Sequence, residues 1–283
     1  MVEKRGTKGI LAHVVMVLGV LVVAFPIYLA FVASTHTAQE IVQAPMPLLP
    51  GANFWDSYKA ALFGREHSNA SNAPVLRMMW ISLVTALTIA IGKIAISLLS
   101  AFAIVYFKFP FRKTVFWLIF ITLMLPVEVR ILPTYKVLSD LNLLNTYAGL
   151  SVPLIASATA TFLFRQFFMT VPDELTEASR IDGASPMRFF IDVLVPLSKT
   201  SIAALFVIQF IYGWNQYLWP LLITTKESFY TVVMAVSRQA NVVDATPSWN
   251  LLMAMAMLAM LPPVLVVIVM QRQFVRGLVE TEK

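Results

Sequence analysis

The sequence predicts an all-α membrane protein with six spanning helices, on three observations. Hydrophobic residues fill 59% of the 283 positions, against about 45–50% in soluble domains. Charged residues make up 13%, roughly half the usual share. Six stretches are apolar over about the 20 residues that a bilayer core requires. A water-soluble fold has no interior large enough for that much apolar surface, so lipid must solvate much of it.

The six stretches follow in order, within one transmembrane domain covering 1–283. Residues 14–33 are free of charge, and their apolar core is too long for a secretory signal, so this stretch is expected to stay as an anchor. Residues 78–107 are apolar apart from Lys93. Residues 114–135 are apolar until Glu128 and Arg130, which follow Pro126 near the far end. Residues 141–164, 200–225 and 247–270 carry no charge. Between the first two spans, residues 34–74 are rich in Pro, Asn and Ser and predict an irregular external loop, with a short helix near Asn53–Phe63.

Six spans put both termini on one side. With the termini in the cytoplasm, that side collects thirteen Lys and Arg against seven outside, and Lys108, Arg112 and Lys113 fall in one short connection. The positive-inside rule therefore orients both termini to the cytoplasm. The same rule accounts for the net charge of +6, and no basic run exceeds Lys4-Arg5, so no nucleic-acid partner is expected.

Several chemistries are excluded. The chain has no cysteine, which rules out disulfides and thiol catalysis. Gly92-Lys93 fails the phosphate-loop pattern, because Leu87 and Ile94 stand where Gly and Ser or Thr are needed. His13, His36 and His67 have neither metal nor triad spacing. No catalytic residue, cofactor site or metal site is expected.

Charge and turn signals concentrate in the fourth connection, within 170–198. Pro172, Asp173, Glu174 and Glu177 suit a helix start, because acids favour the positive end of the dipole. Gly183 marks its stop. Ser185-Pro186 reads as an N-cap and first helical residue, opening a second helix that Pro196 ends. Arg188 and Asp192 stand at i, i+4 and are placed to pair. On physics alone this is a solvated loop of two amphipathic helices.

Its spacing adds more. Glu177-Ala178-Ser179, three residues, Gly183, nine residues, then Val193-Leu194-Val195-Pro196 resembles the EAA-x3-G-x9-I-x-L-P loop of binding-protein-dependent ABC importer permeases. The departures are Ser179, Val193 and Val195. Stretches 121–130, 158–168, 182–190 and 210–220 resemble the subfamily that carries sn-glycerol-3-phosphate. The resemblance implies a multi-pass bacterial inner-membrane permease that carries sn-glycerol-3-phosphate and related glycerophosphodiesters from periplasm to cytoplasm by alternating access. Its implied partners are a second homologous permease, two copies of a cytoplasmic ATPase that binds ATP and Mg, and a periplasmic substrate-binding protein. Glu177, Ala178, Ser179, Asp182, Gly183 and Met187 would form the surface that the ATPase grips. A maltose-like or other sugar is the alternative cargo.

Candidate path residues remain open between roles. Lys93 either pairs inside a helix bundle, attracts an anionic phosphate, or snorkels. Glu128 and Arg130 either cap an external gate, salt-bridge to the second permease, or meet substrate. A helical period places Tyr212, Asn215, Gln216 and Trp219 along one stripe of the fifth span. An interfacial aromatic belt explains Tyr217 and Trp219 equally well. Gly213 and Pro220 would permit a kink there.

Overall fold

The computed structural model describes residues 7–64, 74–122, 127–241 and 248–280. The described residues are helical, with no strand among them. The chain divides into two compact units, Met1–Leu76 with Ala235–Met260, and Arg77–Met234 with Leu261–Lys283.

In the first unit, α1 (Thr7–Ser34) is apolar on every side. Its most apolar stretch is buried against nothing in the chain, as expected of a helix whose solvent is lipid. Only its end is covered, at Val32, Ala33 and Ser34. There Phe31 meets Phe54 and Ser34 Oγ lies 3.0 Å from Tyr58 Oη, both partners on α3 (Phe54–Phe63). This α3 is the short helix expected in the loop. Ahead of it, α2 (Ala38–Val42) starts in a capping box, in which Thr37 and Glu40 satisfy each other's backbone N–H groups. The Glu40 carboxyl is held below its ordinary range by the Thr37 backbone N–H and then by His36.

The second unit is built around α4 (Val75–Tyr106), which belongs to it from Arg77 onward. Next come α5 (Arg112–Ile121), α6 (Val127–Asp140) and α7 (Tyr147–Ser151), the last continued by a 3-10 turn through Leu154. Then follow α8 (Ala158–Phe168), α9 (Asp173–Ile181), α10 (Pro186–Phe189), a π-helical turn Phe190–Leu194, α11 (Val195–Leu197) and α12 (Lys199–Trp214). The chain continues with α13 (Leu218–Ile223), then α14 (Val232–Ala240), which belongs to the first unit from Ala235, and α15 (Trp249–Glu280), which belongs to the first unit up to Met260 and to the second from Leu261.

Among the described residues three helices are each long and apolar enough to cross a membrane, within Gly9–Ser34, Val75–Tyr106 and Trp249–Gln271. Two bent helix pairs are apolar enough when taken together: Tyr147–Leu154 with Ala158–Phe168, bent by 49°, and Pro186–Leu197 with Lys199–Trp214, bent by 73°. The expected third span corresponds to α5 and α6; Pro126 and the Glu128 side chain lie outside what is described.

Two apolar cores divide the length of α4. One gathers Ile81, Ile89, Leu138, Leu150, Leu154, Trp219 and Ile223. The other gathers Ile94, Leu98, Phe102, Phe164, Phe168, Phe189, Phe190, Leu194 and Leu205. The first core is tied off by Asn145, which holds a left-handed φ of 56°, a conformation that Asn tolerates well. Its Oδ1 accepts from the backbone N–H groups of Thr225 at 2.8 Å and Lys226 at 2.9 Å. Its own N–H donates to the Ile223 carbonyl at 3.2 Å. Trp219 Nε1 donates to the Gly149 carbonyl at 3.1 Å in the same core.

Candidate functional site

The connection with the permease-like spacing folds as a knob on the end of the second core. Pro172 caps α9, and Asp173 and Glu174 occupy its first turn, where carboxylates offset the exposed N–H groups. Gly183 has φ +71°, and the Ala184 N–H reaches back 3.0 Å to the Ser179 carbonyl while Gly183 donates to Arg180 at 3.1 Å. These bonds satisfy the last carbonyls of α9 and turn the chain. A Cβ at Gly183 would meet nothing within 4 Å, so the left-handed backbone, not space, favours glycine there. Ser185 Oγ then accepts the Arg188 N–H at 3.3 Å, with Pro186 first in α10. Arg188 Nε meets Asp192 Oδ2 at 3.2 Å, as the spacing predicts.

One expectation needs correction: Pro196 does not end the second helix, which runs to Leu197. A proline inside an α-helix collides with the carbonyl four residues back. Here Phe190–Leu194 widen into a π turn, with the Val195 N–H donating to Phe190, so Pro196 fits after a local unwinding. The sharp bend comes afterwards, at Ser198. Ser198 is buried and its hydroxyl donates to the Leu194 carbonyl at 2.6 Å.

Glu177, Ala178, Asp182, Gly183 and Met187 are exposed, and Ser179 is half-buried. The exposed knob also presents apolar surface, with Ile181 at 86% and Met187 at 50% exposure. Ile181 was not foreseen as part of the surface. Its single-residue exposure is visible only once α9 is oriented. Aromatic rings hold the second helix of the knob to α4: Phe102 with Phe190 at 4.9 Å, and Tyr106 edge-on to Phe189 at 5.4 Å. Each such pair adds about 0.5–1.5 kcal/mol beyond its area. Tyr106 Oη donates to the Phe168 carbonyl at 3.3 Å, so α4, α8 and α10 meet at one point. Beside it a cavity of about 290 Å³ opens between the end of α4 and the knob, lined by Tyr106, Thr176, Arg180 and Phe189 among others.

The expected stripe on the fifth span does not form. The helix α12 stops at Trp214, residues 215–217 are irregular, and α13 starts again at Leu218. Asn215 caps α12 and is exposed, whereas Trp219 is buried in the first core. Gln216 Nε2 donates to the Tyr212 carbonyl at 3.1 Å. The break falls beside Gly213, as expected. Gly213 sits so close to α4 that a Cβ would come within 2.9 Å of Ala86 Cα.

Two of the candidate path residues do meet. Lys93 is 6% exposed, and its Nζ lies 3.7 Å from the centroid of the Tyr212 ring. A cation over a ring contributes about 2 kcal/mol when desolvated. Arg130 is exposed. Sequence reading named Lys93 and Tyr212 but could not pair residues so far apart along the chain.

Comparison with known proteins adds the following. Residues 93–280 match the family model described as binding-protein-dependent transport system inner membrane component. The chain is 58% identical over its full 283 residues to the sn-glycerol-3-phosphate transport system permease protein UgpE of Agrobacterium fabrum, covering 100% of both. It is 56% identical to the protein of that name from Brucella melitensis and 55% to that from Pectobacterium atrosepticum, again over 100% of both chains. Among solved structures, a chain of a bacterial ABC transporter involved in the import of the acidic polysaccharide alginate superposes with a TM-score of 0.76. That chain is 20% identical, with 97% of this chain and 99% of that one covered; the likeness concerns the fold.

Proposed function

The chain belongs to the family of binding-protein-dependent transport system inner membrane components, and from that footing we propose that it is a permease subunit of an ATP-driven importer for sn-glycerol-3-phosphate. It is a membrane-embedded transport component. The observation that carries the reading is the exposed knob: a helix, a left-handed glycine and a second capped helix, at the spacing of the family's loop. The substrate comes from relatives named for sn-glycerol-3-phosphate transport at 55–58% identity over the whole chain.

In this reading the knob faces the cytoplasm and docks on an ATPase partner. Glu177, Ala178, Asp182 and Met187 touch that partner, joined by Ile181, while Ser179 and Gly183 shape the turn. A second permease of the same family completes the passage, two ATPase copies bind ATP and Mg, and a periplasmic binding protein delivers the substrate. The chain itself catalyses nothing and holds no cofactor. Closure of the ATPases displaces the knob, and the rings of Phe102, Tyr106, Phe189 and Phe190 transmit the displacement to α4 and α8. Lys93, Arg130, Tyr212, Asn215, Gln216 and Trp219 lie along or support the path, with Trp219 acting through its buried bond to Gly149.

The test is reconstitution of the four-component complex in proteoliposomes. Addition of sn-glycerol-3-phosphate with its binding protein should stimulate ATP hydrolysis and accumulate the ester inside. Stimulation by a neutral sugar and not by the ester would overturn the substrate assignment and leave the family intact.

A further inference from the structure

We propose that Lys93 is the charge-selecting residue of the passage, exchanging the Tyr212 ring for the phosphoryl oxygens of a phosphate monoester as the substrate goes by. The proposal rests on the glycerol phosphate reading above and names the residue that would recognise its charge.

The position of Lys93 carries the argument. It falls between the two apolar cores, four residues after Ile89 of one and one residue before Ile94 of the other. One chain break lies at the level of Lys93 on α4. A Cβ on its neighbour Gly92 would meet Ile155 at 2.9 Å, and Ser97 Oγ donates to the Ser157 carbonyl at 3.3 Å, so the gap between the two halves of that bent span lies against it. Tyr212 stands three residues before another break, at 215–217. Irregular backbone at depth in a membrane protein lines a cavity or is buried in protein, because lipid cannot satisfy it.

The chemistry of the site points to an anion. A buried ammonium requires an ion pair or several hydrogen bonds. Among the described residues no carboxylate forms an ion pair with Lys93. A ring face offers attraction but no lone pair, so a cation resting on it can leave for an oxygen anion. A phosphate monoester brings a charge of about −1.5 to −2 near neutral pH. A lysine meets it as a mobile point charge, which suits a substrate that must move on.

The experiment compares two esters in the reconstituted complex: sn-glycerol-3-phosphate and its methyl diester, which carries a single negative charge. Lys93→Met keeps the length of the side chain and removes the charge. It should lower monoester uptake by about tenfold, a loss typical of one charge-assisted hydrogen bond, and diester uptake by clearly less. Lys93→Arg should restore most of the monoester uptake, and ATP hydrolysis stimulated by the loaded binding protein should persist in both variants. Unchanged monoester uptake in Lys93→Met would overturn the proposal. Equal loss of both esters would also overturn it, by marking Lys93 as a packing residue. Should Lys93→Met not assemble, Lys93→Gln, which removes the charge and keeps a polar end, is read by the same comparison of the two esters. A wild-type complex that imports a sugar and neither ester removes the reading beneath the proposal, a result distinct from any of these.

Discussion

Gly213→Ala tests how α12 and α4 are packed just before the break at 215–217. The added Cβ would lie 2.9 Å from Ala86 Cα, 3.4 Å from Ala86 Cβ and 3.4 Å from its carbonyl oxygen. The nearest atom is backbone, so no rotamer change relieves it and one helix must shift. Overpacking of that kind costs about 1–3 kcal/mol. Alanine gains at most about 1 kcal/mol over glycine in a helix, and less at this position in the last turn. The clash should win, with a net loss of about 1–2 kcal/mol. At roughly 2–4 °C per kcal/mol for chains near this length, the midpoint of thermal denaturation in detergent should fall by several degrees. Ala86→Gly removes the atom at 3.4 Å but leaves the Cα at 2.9 Å, and adds its own glycine penalty inside α4. The double variant should therefore be no more stable than Gly213→Ala alone. Full rescue by Ala86→Gly, or an unshifted midpoint for the single variant, would refute the geometry.

Four further outcomes are expected. Glu177→Lys and Gly183→Asp should abolish uptake while leaving membrane insertion intact, because one reverses charge on the knob and the other puts a side chain on a φ of +71°; normal uptake in vesicles by either would remove the coupling role. Reporter fusions after Phe111 and Arg188 should report cytoplasm, and those after Gly64 and Asn241 the opposite side, from the thirteen-to-seven charge asymmetry. Trp219→Phe should cost about 1–3 kcal/mol by stranding the buried Gly149 carbonyl, read as a lower denaturation midpoint. Acidification should open the Thr37–Glu40 capping box. Its carboxyl titrates below the ordinary 4.5 when folded, so the stabilisation is complete above that value and is lost as pH falls through the lowered one. The protection factor of the Thr37 amide, its intrinsic exchange rate over the observed one at each pH, should then fall at low pH, and Glu40→Gln should make that factor independent of pH in that range.

The parts of the fold set by local chemistry were legible in the sequence. The acids of the first turn of α9, the left-handed Gly183, the Ser185 cap and the Arg188–Asp192 pair all follow from residues within four positions of each other. What failed depends on distant partners. A regular helix through Tyr212 and Trp219 was a fair reading of an apolar run. The bond of Trp219 to Gly149 draws the indole into the first core, and that partner is invisible to periodicity. Pro196 was read as a stop because proline breaks an α-helix, yet a π turn upstream absorbs it. Lys93 was recognised as costly in a span, but its contact with Tyr212 required the fold.

The Asn145 bonds have a mechanical consequence. They fasten the start of α7 to the end of α13, two short pieces that sit beyond the chain breaks at 155–157 and 215–217. With Trp219 bonded to Gly149 as a second fastening, these pieces cannot slide past one another without parting several hydrogen bonds. Under the proposed coupling, a push arriving through α8 and α12 meets a stiff cap, and the compliance is left to the two irregular joints. The arrangement is that of a lever on a double hinge. The fulcrum is the level at which Gly92 leaves no room for a Cβ beside Ile155, and the stroke at one end is fixed by how far two three-residue joints can flex.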